Sequence, residues 1–142
     1  MSAHERLGAR RQARAPIHEQ MGREVTRAEP GSGQAEVHFV GREAFTNGLG
    51  NIQGGFLAAL LDSTMGAALS TVLAENEVPP TLELKISFIR PGKIGPIVGL
   101  GQVVNRGRSV AFLEGELRGP DSKLIAKASA TYRIFKEDSE QS

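Results

Sequence analysis

Between Gln53 and Ala74 the chain runs through alanine, leucine, methionine and glycine with no proline and a single ionisable side chain, Asp62. From Gly54 to Ala74 this segment is far too long for a strand and reads as a helix, with Pro79-Pro80 to stop it. At about 100° per residue, Gly55, Ala58, Ala59, Asp62, Ser63, Gly66 and Ser70 fall on one side of the wheel. Phe56, Leu57, Leu60, Leu61, Met65 and Val72 fall on the other, while Leu69 and Leu73 break the division near the C-terminal end. Asp62 therefore does not sit among lysines and glutamates, as a solvated face would place it. It lies on a stripe of small residues, where another backbone or a ligand can come close. Phe56, Leu57 and Met65 either fill the core or line a pocket. A transmembrane span is the competing reading of so apolar a segment. A carboxylate at its centre costs roughly 2.5–3.5 kcal/mol on insertion scales, and the surrounding strands belong to a soluble sheet, so no membrane partner is expected.

Elsewhere the period changes to two. Glu24–Glu29 and Gln34–Gly41 read as strands broken by the turn cluster Pro30-Gly31-Ser32-Gly33. Beyond the helix, Leu82, Leu84, Ile86 and Phe88 alternate with Thr81, Glu83, Lys85 and Ser87, the mark of a half-buried strand. Ile97–Asn105, Val110–Arg118 and Leu124–Phe135 follow. Arg90-Pro91-Gly92 ends the first of these strands. The links Arg106-Gly107-Arg108 and Gly119-Pro120-Asp121-Ser122 are too short for parallel crossovers and predict antiparallel hairpins, so the four strands read as a meander. With a short helical turn at Pro16–Gly22, the order is strands, one long helix, then strands. That is an α+β arrangement with the helix covering one face of an antiparallel sheet.

Composition bounds the rest. Apolar residues and glycine together make up about half of the 142 residues, enough for one globular domain. We expect that domain at residues 16–136, between a basic tail at 1–15 (Arg6, Arg10, Arg11 and Arg14 against Glu5) and a polar tail at 137–142. No apolar run follows the basic stretch, so it does not read as a secretory signal. Charge is balanced, 17 basic against 16 acidic, which gives no reason to expect a nucleic-acid partner. The absence of cysteine excludes disulfides and thiolate-held metals. His4, His18 and His38 are too scattered for a compact helical metal motif, so neither metal nor cofactor is expected. Asp121 and Asp138 read as solvated charges in a turn and a tail.

Asn47-Gly48-Leu49-Gly50-Asn51-Ile52-Gln53-Gly54-Gly55 leads into the helix. The G-x-G-x-x-x-G spacing invites a dinucleotide-binding reading, but a doubly wound half needs further helical crossovers, and no second long helix is present. What survives is simpler. Glycines at a helix start let a ligand reach free backbone N–H groups, where the dipole favours developing negative charge, and such a terminus can hold an oxyanion. Asp62, eight residues beyond Gly54, lies about 12 Å further along the helix, too far for both to act on one carbonyl. A cooperating partner group would come from a second chain.

Three stretches, Asn47-x-x-Gly50-x-x-Gln53-Gly54-Gly55, Leu60-x-Asp62-x-x-x-Gly66 and Thr81-x-Glu83-Leu84-x-Ile86-x-Phe88-x-Arg90-Pro91, together resemble the hotdog-fold acyl-CoA thioesterases of the phenylacetate-pathway (PaaI-like) group. The resemblance runs from about Met21 to Phe135. It implies a long central helix wrapped by an antiparallel sheet, assembly as homodimers or homotetramers with sites at the subunit interface, and acyl-CoA as the substrate of a cytoplasmic enzyme. Asp62 matches the carboxylate that attacks the thioester or activates water. Gly54 matches the residue whose N–H polarises the carbonyl from the facing subunit, with Gly55 beside it on the substrate. Asn47 matches a polar residue near the reacting groups, and Thr81 a hydroxyl at the start of the next strand. Gly107, Arg108 and Ser109 fall where pantetheine and phosphates are contacted, although Arg106 and Arg108 also suit a solvated turn. Arg90 reads as structural. Histidine usually precedes the two glycines, and here Gln53 stands in its place as a positioning group. Glutamine donates and accepts hydrogen bonds but does not titrate, which argues against hotdog dehydratases and leaves open a protein that binds acyl-CoA without turnover.

Overall fold

The apolar face of the long helix is what the sheet closes around. In the computed structural model, which describes residues 15–137, α1 (Pro16–Gln20) precedes β1 (Glu24–Arg27) and β2 (Gln34–Gly41). A 3-10 turn at Glu43–Phe45 leads to α2 (Gly54–Ser70). Then come β3 (Glu77–Val78), β4 (Thr81–Phe88), β5 (Gly95–Arg106), β6 (Val110–Arg118), β7 (Leu124–Arg133) and β8 (Phe135–Lys136). The expected tails, Ala15 and Glu137 apart, lie outside the described residues. Six strands form one antiparallel sheet in the order β1-β2-β5-β6-β7-β4, and β3 pairs with β8. The α+β architecture is the hotdog arrangement the sequence led us to expect.

Leu57, Leu60, Leu61, Met65, Ala68 and Leu69 of α2 are buried against Val37, Phe39, Ile97, Leu113 and Leu117 of the sheet. Leu69, an exception on the wheel, is fully buried. The small-residue stripe stays half open, with Ala58, Ala59, Asp62, Ser63 and Gly66 partly exposed. Close seating of α2 depends on glycines in β5. A Cβ at Gly99 would collide with the Thr64 side chain, and one at Gly101 would stand 2.9 Å from the Thr64 carbonyl oxygen.

Three expectations are corrected. The helix ends at Ser70 rather than Ala74. The Pro30–Gly33 turn docks on its last turn: the Gly31 N–H donates to the Thr71 carbonyl at 2.7 Å and the Gly33 N–H to Thr71 Oγ1 at 2.8 Å. The last strand breaks at Ile134, whose N–H turns aside to the Ser109 carbonyl at 2.8 Å while Phe135 pairs with Val78. The four strands after the helix are not a simple meander, because β4 pairs with β7 at the sheet edge rather than with β5. Residues 89–94 instead cross from that edge to the middle of the sheet. Three strand spacings are about 14 Å, and six extended residues reach about 20 Å, so a short link does not require a hairpin. On its way the link passes the start of α2, where the Ile52 N–H donates to the Gly92 carbonyl at 2.8 Å.

Candidate active site

Asp62 sits midway along α2, half-buried, beneath the first residue of β4. Its Oδ1 accepts two hydrogen bonds, from Thr81 Oγ1 at 2.9 Å and from the Tyr132 hydroxyl at 2.7 Å. Tyr132 also stands 3.3 Å from the Asp62 carbonyl oxygen. Thr81 and Tyr132 face each other across the β4–β7 ladder. Strict alternation would have put Thr81 on the outer face with Glu83 and Lys85. A bulge between Thr81 and Glu83 inserts Leu82 as an extra residue and turns Thr81 toward the helix. Leu82, expected on the core face, is 59% exposed. Tyr132 is buried, and burial first, with the Asp62 carboxylate second, holds its phenol well above the usual tyrosine range. It is therefore a neutral donor at working pH.

The start of α2 is built the opposite way. Gln53 occupies the N-cap position and makes no side-chain cap bond. The first turn bonds back to its carbonyl from the Phe56 and Leu57 N–H groups. The Gly54 and Gly55 N–H groups have no backbone acceptor among the described residues. Gly54 opens on a cavity of about 330 Å³ that it shares with Asn47, Leu57, Phe88, Arg90 and Pro91. Asn47 Oδ1 accepts the N–H groups of Leu49 at 3.0 Å and Asn51 at 3.2 Å, which shapes the loop and leaves its amide nitrogen to donate. Gln53 and Gly55 are exposed, and neither lines that cavity.

Within one chain the expected site residues thus fall into two groups. Asp62 and Thr81 lie at one end of β4, and Phe88, whose ring packs 3.2 Å from where a Gly54 Cβ would be, marks the other. The hairpin Gly107-Arg108-Ser109 belongs to the Asp62 end, since the register runs from Ala111 through Tyr132 to Thr81. Arg108 and Ser109 are exposed there. Arg106 is not a free cation: it holds both oxygens of buried Glu77 at 2.6 Å, and its other amino group meets the Gly107 carbonyl at 2.6 Å. That guanidinium, against the opposing cost of burial, holds the Glu77 carboxyl below the usual range. Arg90 donates to the Leu124 carbonyl at 2.9 Å, a structural bond as expected. Among the described residues no cluster of His, Cys, Asp and Glu has the grouping to hold a metal, and no helix is long and apolar enough to cross a membrane.

Sequence reasoning missed Tyr132. The available signal was its place in line: Ala126, Ala128, Ala130 and Tyr132 share one face of β7 by alternation, and all are buried. One polar-tipped aromatic ending a row of alanines under a helix needs a hydroxyl partner, and Asp62 is that partner.

Residues 49–126 match the Thioesterase superfamily, and the chain belongs to that family. It is similar to a phenylacetic acid degradation-related protein of Ralstonia eutropha JMP134, with 33% identity and a TM-score of 0.80 over 92% of this chain and 98% of that one. It is 34% identical over 95 residues to mouse acyl-coenzyme A thioesterase 13, covering 65% of this chain and 66% of the relative. The PaaI protein of the Escherichia coli phenylacetic acid degradation operon shares the fold, with a TM-score of 0.80 over 93% of both chains at 18% identity.

Proposed function

We propose that this thioesterase-family protein hydrolyses acyl-CoA thioesters to free acid and CoA, with its catalytic groups drawn from two copies of the chain. The observation that carries this reading is the pairing of a pinned, half-open carboxylate with an uncapped helix start at opposite ends of one exposed edge strand. β4 is the last strand of the sheet, and Leu82, Phe88 and Ile89 along or beside it are about half exposed or more. Long exposed edges invite strand pairing. A two-fold axis through β4 would run the partner's β4 antiparallel and set its Phe88 end against Thr81. The partner's Gly54 N–H would then face Asp62, closing the gap of about 12 Å that separates the two within one chain. The site is complete in a homodimer, and pairing of dimers would give a tetramer.

Asp62 acts through its second oxygen. As nucleophile it attacks the thioester carbon, the CoA thiolate leaves and takes a proton from water, and water then cleaves the anhydride. As general base it takes the proton of the attacking water. In either case the oxyanion meets the Gly54 N–H. Asn47 donates its amide beside it, Gln53 and Gly55 flank the approach, and Thr81 holds the carboxylate. Exposed Arg108, with Gly107 and Ser109, receives the pantetheine and phosphate arm. We place the catalytic domain at residues 16–136 and the enzyme in the cytoplasm, where acyl-CoA is met.

Release of free thiol from a panel of acyl-CoAs tests this. Wild type should turn over and Asp62→Ala should not, and unchanged turnover in the variant defeats the assignment. Sedimentation should give a dimer or larger, and an active monomer defeats the shared site. Gln53 in the usual histidine position favours one second reading, an acyl-CoA-binding protein without turnover, which binding with no release by wild type would establish.

A further inference from the structure

We propose that Tyr132 is a positioning residue for catalysis: with its cross-strand partner Thr81 it anchors Oδ1 of Asp62, so that Oδ2 alone is presented to the thioester or to water. This rests on the reading of Asp62 above and goes beyond it by naming which oxygen reacts and what holds it. The geometry carries the argument. Two hydroxyls converge on one carboxylate oxygen at 2.7 and 2.9 Å, one from a buried phenol and one from a strand turned inward by a bulge. No hydrogen bond to Oδ2 occurs among the described residues. Two donors on one oxygen fix both the carboxylate plane and its rotation about χ2, a torsion that is otherwise broad. The phenol is also held by the fold around it, since Tyr132 is 2% exposed and lies at register positions opposite Ala111 and Thr81. An oriented oxygen has reached its reactive geometry before substrate arrives, and the ordering cost is met in folding rather than in each turnover. A purely structural tyrosine would need only some acceptor for its hydroxyl. Here the acceptor is the one carboxylate on the helix.

The chain offers a direct reporter. Tyr132 is its sole tyrosine and it has no tryptophan, so intrinsic emission reads this residue alone, and a carboxylate accepting the phenol's hydrogen bond quenches it. Tyr132→Phe keeps the ring and removes the donor. With an acyl-CoA panel and free-thiol detection, kcat should fall roughly 10- to 100-fold, the worth of a hydrogen bond to a charged group, with KM nearly unchanged. Thr81→Val should lower kcat in the same direction, and it serves where Tyr132→Phe folds poorly. Tyrosine emission should rise in Asp62→Ala relative to wild type and remain quenched in Thr81→Val. If Asp62→Ala is inactive while Tyr132→Phe has wild-type kcat and KM, the positioning role is overturned and the Asp62 reading stands. If Asp62→Ala keeps full turnover, the parent reading falls and takes this one with it. Equal emission from wild type and Asp62→Ala overturns the Tyr132–Asp62 bond independently of activity.

Discussion

At the Asp62 end of the molecule side chains are held by partners within one chain, whereas at the Gly54 end the first backbone donors of α2 have none among the described residues. Asp62 Oδ1 takes two hydroxyl donors, and Glu77 nearby takes two bonds from Arg106 and one from the Ala74 N–H at 2.8 Å. By contrast, the start of α2 has an N-cap residue whose side chain makes no cap bond and two glycine N–H groups without backbone acceptors among the described residues. Helix starts usually find side-chain partners, because an orphan donor weakens the fold. On the proposed reading, leaving this one bare keeps donors available for the substrate. The contrast teaches that one chain holds a pinned carboxylate and a bare helix start, the two halves that the proposed shared site would bring together.

The largest expected effect falls on the pinned end. Asp62→Ala should reduce thiol release by roughly 10³-fold or more, the scale of losing a nucleophile or general base, with the folded state kept. Next comes the bare end. Gly54→Pro removes the N–H at the first helical position, where proline is tolerated, and its Cβ requires the exposed Phe88 ring, 3.2 Å away, to give by a few tenths of an ångström. Gln53 already holds the extended backbone, φ −60° and ψ 141°, that a residue before proline needs. Turnover should fall roughly 10²- to 10³-fold, as for other oxyanion donors. Mixing the two inactive variants then sharpens the comparison. Random exchange in a two-fold dimer gives half heterodimers, each with one intact site, so about a quarter of wild-type activity should return. No recovery after verified subunit exchange would place both groups in one chain.

A smaller effect concerns the hairpin at the Asp62 end. Arg106→Ala leaves Glu77 buried without its ion partner, and chemical denaturation should show a loss of about 3 kcal/mol. The pH dependence has a definite sign. The folded carboxyl of Glu77 lies below its unfolded value of 4.5. Its stabilisation is therefore complete above pH 4.5 and is lost as pH falls through the lower folded value. Arg106→Ala should flatten that acid-side slope, and an unchanged slope would show that the pair contributes nothing.

How much of this was legible depends on the range of the signal. The helix, Asp62 and the helix-start glycines were readable because each is local: absence of proline, one charge, one turn cluster. The distance from Gly54 to Asp62 followed from helical rise alone, and the proposal of a second chain rests on it. Three features were not readable because they depend on pairing across the sheet. The bulge at Leu82 reverses the face of Thr81. The exit of β4 to the edge makes Pro91-Gly92 a crossing rather than a hairpin. Arg106 read equally as a solvated turn residue or a phosphate contact, and neither reading foresaw Glu77, which the fold brings to it from 29 positions away.

The smallest effect separates the two glycines at the bare end. A Cβ at Gly55 meets nothing within 4 Å, whereas one at Gly54 meets the Phe88 ring at 3.2 Å. Gly55→Ala should thus be free of steric cost and should raise stability by about 0.5 kcal/mol through reduced freedom of the unfolded chain. Alanine keeps the N–H, so kcat should hold. KM is the informative number: if acyl-CoA lies against Gly55 in the assembled dimer, the added methyl should raise KM several-fold while leaving the isolated protomer more stable. If KM is unchanged, Gly55 has no contact with substrate and the donors of the bare end reduce to Gly54.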